Sequence, residues 1–206
     1  MTDSDDRVQQ QGDSALPFDG VEGLPGGSAT GTTRVLGIAL LLFVAALLLY
    51  LFTLAPGPLS GDAGEFQIAT RVWGLSHPTG YPLYMLLLKL WGLLPVGTIA
   101  YRANLLSAVL AAGAVGLGYI LLRMVTQQTL GAILGALVLA VSPLFWSQAL
   151  IADKYALNAF LVMAVLTAAV YWAQKPGWRR LCLLALIYGL SLAHHRTMVL
   201  FAPGLI

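Results

Sequence analysis

Five long apolar runs organise the chain: Val35 to Ala55, Ala103 to Leu122, Leu130 to Ala149, Ala156 to Ala173, and Leu181 onward. Each approaches the ~20 residues that cross a ~30 Å hydrocarbon core as a helix. None shows the ~10-residue alternation of barrel strands. The pattern predicts an all-α, polytopic helical membrane protein of about five to six transmembrane helices. One further apolar segment is short, because only twelve residues separate Pro82 from Pro95 and Lys89 interrupts them. At ~1.5 Å per residue that is about 18 Å of helix. Tyr81 to Leu94 is therefore read as a surface or re-entrant helix in the first outer loop. Residues 1–33 lack any such run and read as a disordered N-terminal tail, with residues 34–206 as the transmembrane domain. The acidic tail and the length of the run from Val35 favour an uncleaved first span over a secretion signal.

Composition agrees, since 58% of the 206 residues are hydrophobic and 10% charged, with a mean hydropathy of +0.80. A soluble domain carries roughly a quarter charged residues. A formal charge of +2 implies no nucleic-acid partner. Cys182 lies in an apolar run, has no second cysteine to pair with, and is expected to be a small packed side chain. Gly26, Gly27 and Gly31 read as linker, Gly131 and Gly135 as helix packing, and Trp73, Trp91, Trp146 and Trp172 as interfacial anchors.

Charge fixes an orientation. If the short segment does not span and the tail is cytoplasmic, Arg34, Arg123, Lys175, Arg179 and Arg180 all fall inside, as the positive-inside rule asks. Beyond the tail the chain has three acids, Asp62, Glu65 and Asp153, and three histidines, His77, His194 and His195. The same topology puts all six on the outer face. Ionisable groups at a membrane rim are expensive and usually functional, so a converging outer-face site is expected.

Plainer readings exist for each element. Asp62 and Glu65 suit the first turn of a surface helix, His77 to Pro82 could be only a turn, and Asp153 and Lys154 could be loop charges. His194, His195 and Arg196 could anchor a span, although three such residues at the end of an apolar run are costly.

The segments "GDAGEF", "SHPTGYPLY", "SPLFWSQALIADKYALNAF" and "GLSLAHHRTMVLFAPG" together resemble the successive motifs of the protein O-mannosyltransferase-like members of the GT-C glycosyltransferases. The resemblance runs from about residue 35 to residue 206. Asp153-Lys154-Tyr155 stands where that family has Glu-Val-Tyr, and Thr79 where a second proline is common. GT-C enzymes carry further spans and often a soluble C-terminal domain, so the resemblance implies the N-terminal part of a longer, truncated protein.

It also implies a reaction: inverting transfer of a sugar from a polyprenyl-phosphate donor to an acceptor hydroxyl on a protein, glycan or lipid, at the outer or lumenal face. A hydroxyl is a poor nucleophile, so a base must take its proton. On the resemblance Asp62 is the candidate base and Glu65 its partner. His194, His195 and Arg196 would hold the leaving phosphate, helped by Arg102 or Lys154. His77, Tyr81, Asp153, Tyr155 and Asn158 complete the substrate-binding set. No cofactor is assigned: a divalent metal is compatible with the carboxylates and histidines, but no strict ligand spacing is present. The rival classes are a transporter, whose charges would thread the membrane depth rather than cluster at one face, and a noncatalytic membrane scaffold.

Overall fold

The computed structural model describes residues 29–72, 76–78 and 80–205. Most of the expected tail, and also Trp73 and Thr79, lie outside the described residues. The elements are α1 (Ala29–Thr53), α2 (Gly61–Ala69), α3 (Pro82–Trp91), α4 (Ile99–Thr126), α5 (Thr129–Val141), α6 (Pro143–Ala149), α7 (Lys154–Gln174) and α8 (Trp178–Leu192). A 3-10 helix, Arg196–Phe201, and a final turn, α9 (Ala202–Leu205), follow.

Three described helices are long and apolar enough to cross a membrane: α1, α4 and α7. A fourth span is formed if α5 and α6, bent by 64° at their junction, act as one. The chain is thus a polytopic helical membrane protein with three, or up to four, such spans among the described residues. The sequence expected five to six. Pro143 accounts for one difference, because proline removes a helix donor and clashes with the preceding turn, so the run from Leu130 bends at Ser142. At that bend the Tyr50 hydroxyl donates to the Ala140 carbonyl at 2.9 Å. The fifth run ends as a 15-residue helix at Leu192, where His194, His195 and Arg196 interrupt the apolar pattern. Helix α1 starts at Ala29, inside the expected tail. Cys182 is exposed on α8 rather than packed.

Helix α4 is the axle of the bundle, contacted by α1, α5 and α7. Its buried face is mostly Ala and Gly, and small residues let helices approach closely without a water-driven core. A Cβ on Gly116 would come within 3.2 Å of the Ala39 carbonyl of α1.

The ends of this bundle differ chemically. Asn104, near the start of α4, donates to Ala55 O just beyond α1 at 2.8 Å and accepts from Ala152 N, before α7, at 2.9 Å. The segment between α1 and α4 therefore begins and ends at the same end of the bundle, and the α6–α7 connection joins it there. Helix α3 is 10 residues long, too short to span. At the other end Gln174 Nε2 donates to Met124 O at 3.3 Å, and Arg180 donates to Tyr171 O at 2.7 Å. The basic connections lie at that opposite end.

Candidate functional site

Helix α2 sets the site. Its Gln67 is buried, accepts from Leu59 N at 2.9 Å and donates to Asn104 Oδ1 at 3.0 Å, which locks the helix onto α4. Gly64, between the two acids, lies so close to the Leu59 carbonyl that a side chain there would collide with it. Glycine at 64 thus lets the helix that carries both carboxylates pack directly on its preceding loop.

Glu65 accepts twice from one residue, from His77 N at 2.7 Å and from His77 Nδ1 at 2.8 Å. These bonds, the side-chain one first, hold its carboxyl below the usual range. The other ring nitrogen, His77 Nε2, is 3.6 Å from Asp62 Oδ2, beyond hydrogen-bond reach. Asp62 is engaged elsewhere: Lys154 Nζ donates to Oδ2 at 2.7 Å, and that bond leads the causes that hold the Asp62 carboxyl low. Asp153 caps α7 through Lys154 N at 2.7 Å and lies 3.2 Å from the same ammonium. Lys154 is only 5% exposed, and its Nζ also stands 4.8 Å from the centre of the Tyr155 ring.

Tyr81 forms the inner wall. It is the N-cap of α3 with φ +42, a left-handed conformation unusual for a bulky residue. Its ring is surrounded by His77 at 5.6 Å, His194 at 5.9 Å and His195 at 6.1 Å between centroids. His194 is 2% exposed, and its Nε2 donates to Lys154 O at 3.0 Å. Its Nδ1 is buried without a partner. Burial pushes the His194 imidazole down to about 4, so it offers a hydrogen bond rather than a charge. The next ring, His195, accepts at Nδ1 from Thr197 N at 3.3 Å. Burial, then Lys154 and Arg196, also lower its affinity for a proton. Arg196 is exposed at the start of the 3-10 helix.

The structure therefore brings Asp62, Glu65, His77, Tyr81, Asp153, Tyr155, His194 and His195 together with Lys154, and carries Arg196 next to them. Arg102 is not brought in: its guanidinium donates to Val96 O at 2.7 Å, Gly92 O at 2.8 Å and Gly97 O at 3.2 Å, fastening the α3–α4 turn. Asn158 sits one turn down α7, its Oδ1 buried and unpartnered. Lys154 is more central than its sequence reading as a helper. Asn104, Gln67 and Ser107, which receives Asp153 N at 3.4 Å, were missed. Their signal was an amide or hydroxyl in an otherwise apolar helix.

Among the described residues, no group of three or more His, Cys, Asp or Glu side chains is arranged to hold a metal ion. Beside the cluster, a cleft of about 510 Å³ runs between α4, α6 and α7, lined by Ser142, Phe145, Gln148, Tyr155 and Ala159. A larger cavity of about 630 Å³ lies away from the acids, among Met124, Trp172, Gln174, Phe201 and Leu205, and is mostly apolar, as the cleft is. Volume alone would favour that cavity. Nearness to the polar cluster favours the cleft, since Tyr155 lines it and its ring faces the Lys154 ammonium.

Fold and site together define a multi-pass helical membrane protein with acid, imidazole and ammonium groups gathered at one end. The family model described as the protein O-mannosyl-transferase TMEM260 N-terminal domain matches residues 62–206, and the chain belongs to that family. It is 30% identical over 195 residues to protein O-mannosyl-transferase TMEM260 of Mus musculus, covering 92% of this chain and 27% of that protein. It is 25% identical over 137 residues to protein O-mannosyl-transferase tmem260 of Dictyostelium discoideum, covering 65% of this chain and 17% of that protein. The chain thus spans well under a third of the length of these relatives. No solved structure matches it.

Proposed function

We propose that this chain is the N-terminal, acceptor-activating part of a mannosyltransferase that moves mannose from a polyprenyl-phosphate donor to an acceptor hydroxyl, with inversion. The observation that carries the reading is the meeting of four separate chain segments at one end of the bundle: α2, the His77–Tyr81 turn, the start of α7 and His194–Arg196. A transferase of this kind needs two things close together. One is a group to take the hydroxyl proton; the other is a set of donors for the developing phosphate charge.

The acids Asp62 and Glu65, with His77, serve the first need. His195 and Arg196, at the rim, serve the second, and Arg196 suits a bidentate phosphate contact. Lys154 supplies a fixed positive charge between Asp62 and Asp153. The cleft beside Tyr155 suits the apolar chain of the donor, because it is open, mostly apolar and adjacent to the polar cluster.

The basic end, with Arg123, Lys175, Arg179 and Arg180, faces the cytoplasm by the positive-inside rule, which places the acids at the outer or lumenal face.

The test is mannose transfer by the complete protein in nanodiscs, from radiolabelled polyprenyl-phosphate mannose to a peptide rich in serine and threonine. Arg196→Ala should weaken donor binding and transfer together, and Arg196→Lys should retain part of the binding but little turnover, since a point charge lacks the planar fork. Full transfer by Arg196→Ala would refute the phosphate assignment. A folded wild type that moves no mannose from this donor would refute the function.

A further inference from the structure

We infer that His77, oriented by Glu65, is the group that receives the acceptor proton, and that Asp62 steadies the resulting imidazolium rather than acting as the base. The inference rests on the transferase reading above.

The geometry separates the two candidates. Asp62 Oδ2 is occupied by the Lys154 ammonium at 2.7 Å, and an acid whose ionised form is favoured in this way is a poor proton acceptor. Glu65 has both its oxygens on His77, one on the backbone N–H and one on Nδ1. An ionised carboxylate only accepts, so Nδ1 carries the hydrogen and Nε2 keeps its lone pair. A carboxylate fixing one ring nitrogen so that the other can take a proton is the division of labour of an Asp–His pair beside a nucleophile. The backbone bond adds rigidity, because it fixes the His77 main chain as well as the ring. Ser76 Oγ lies 3.1 Å from the same Nδ1.

Among the described residues no hydrogen bond is formed to Nε2. Nε2 is 3.6 Å from Asp62 Oδ2, too far for a direct bond, and the His77 side chain is about a third exposed. A hydroxyl can approach this edge. The step balances as follows: the acceptor O–H bond breaks and its proton passes to Nε2, while the oxygen's electron pair forms the bond to the mannose anomeric carbon. As that bond forms, the anomeric C–O bond to the donor breaks and its electron pair leaves with the polyprenyl phosphate. His77 becomes an imidazolium between Glu65 and Asp62, and later loses the proton to water.

The groups facing this ring are Asp62 and Glu65 from α2, Tyr81 at the start of α3, and, behind Asp62, Lys154 and Asp153 of α7. His194, His195 and Arg196 stand beyond Tyr81. Two carboxylates against one neighbouring ammonium leave the pocket able to stabilise a transient cation at His77.

The experiment is single-turnover mannose transfer by the complete protein as a function of pH, with donor binding measured in parallel on the same polyprenyl-phosphate mannose. General-base removal is worth about a hundred- to ten-thousandfold. His77→Gln should lose transfer by that order, bind donor normally, and lack the acid-side fall in rate that wild type shows. Glu65→Gln should keep the acid-side fall but transfer more slowly, about tenfold or more. His77→Ala should regain activity with millimolar imidazole, a rescue that a purely structural role would not give. His77→Gln within threefold of wild type, or retaining the acid-side fall, overturns the inference while leaving the transferase reading intact. Wild type inactive on this donor overturns both.

Discussion

Lys154 Nζ lies 2.7 Å from Asp62 Oδ2 and 3.2 Å from Asp153 Oδ1, so one buried ammonium ties the helix of the first loop to the start of α7. The tie crosses the bundle end, joining residues far apart in the chain. Lys154 is thus both a structural fastening and the fixed charge of the site.

Replacing it tests both roles. Lys154→Met should leave Asp62 and Asp153 facing each other without a cation and loosen α2 from α7. Breaking a fully buried pair costs about 3–5 kcal/mol; Asp62 is half exposed, so about 1–3 kcal/mol is expected here. The measurement is thermal unfolding in detergent, with transfer assayed on the folded fraction. Lys154→Arg should recover part of the stability. Wild-type stability and activity in Lys154→Met would show that the ammonium is incidental.

Gly64 offers a sharper steric test. A methyl group there collides with the Leu59 carbonyl, so Gly64→Ala must displace α2 and separate Glu65 from His77. Overpacking of this kind costs about 1–3 kcal/mol, and transfer should fall further than stability. Limited proteolysis of the 57–72 segment would detect the displacement. An unchanged cleavage pattern with full transfer would show that the loop yields freely.

Asn104 is fully buried and holds Ala55 O, Ala152 N and the Gln67 amide together. Asn104→Ala strands Ala55 O and Ala152 N, while the Gln67 amide keeps Leu59 N and Gly57 O; each buried polar group left unpaired costs about 1–3 kcal/mol. A loss of about 2–4 kcal/mol in unfolding free energy is expected, larger than for Arg102→Ala, whose carbonyl partners are mostly exposed. Equal losses would remove Asn104 from its place as the hub.

The pH dependence of stability follows from His194. Its proton affinity is lowered from the ordinary 6.5 to about 4 in the folded protein by burial. A lowered folded value means that stability is complete above the unfolded value, near 6.5, and is lost as pH falls toward 4. Between pH 7 and pH 5 the expected loss is about 2 kcal/mol. His195 shifts in the same direction, whereas Asp62 and Glu65, also lowered, lose their contribution mainly below the ordinary carboxylate values of 3.8 and 4.5. His194→Gln should flatten the curve above pH 5 and His195→Gln should flatten it less. A wild-type unfolding midpoint that is constant from pH 7 to pH 5 would contradict this.

Much of the site was legible because charge is rare in an apolar chain. Asp62, Glu65, His77, Asp153, His194 and His195 stand out as the acids and histidines beyond the tail, and all of them meet. The short helix was legible too, since Pro82 starts it, although it ends at Trp91, short of the expected Leu94. Lys154 was read as a loop charge or a helper at the phosphate, because nothing local reveals that a side chain at the start of α7 reaches back to α2. Asn104 and Gln67 were silent for another reason: uncharged amides barely disturb an apolar run, and their partners are backbone groups far away in sequence. Pro143 was visible, but a proline near the end of an apolar run marks a bend only once the path of α6 is known. Arg102 misled because carbonyls of the α3–α4 turn compete for a guanidinium as well as a phosphate does.

The proposed function puts mannose transfer at the end of the bundle where Asp62, Glu65 and His77 meet Lys154. Asp62→Asn keeps the size of the side chain and removes the charge that faces both Lys154 and His77. The most direct measurement is single-turnover transfer from polyprenyl-phosphate mannose by the complete protein carrying Asp62→Asn, with donor binding followed on the same sample. Donor binding should stay close to wild type while transfer falls about a hundredfold or more. Transfer at the wild-type rate by a folded Asp62→Asn protein would place the reaction elsewhere in the molecule.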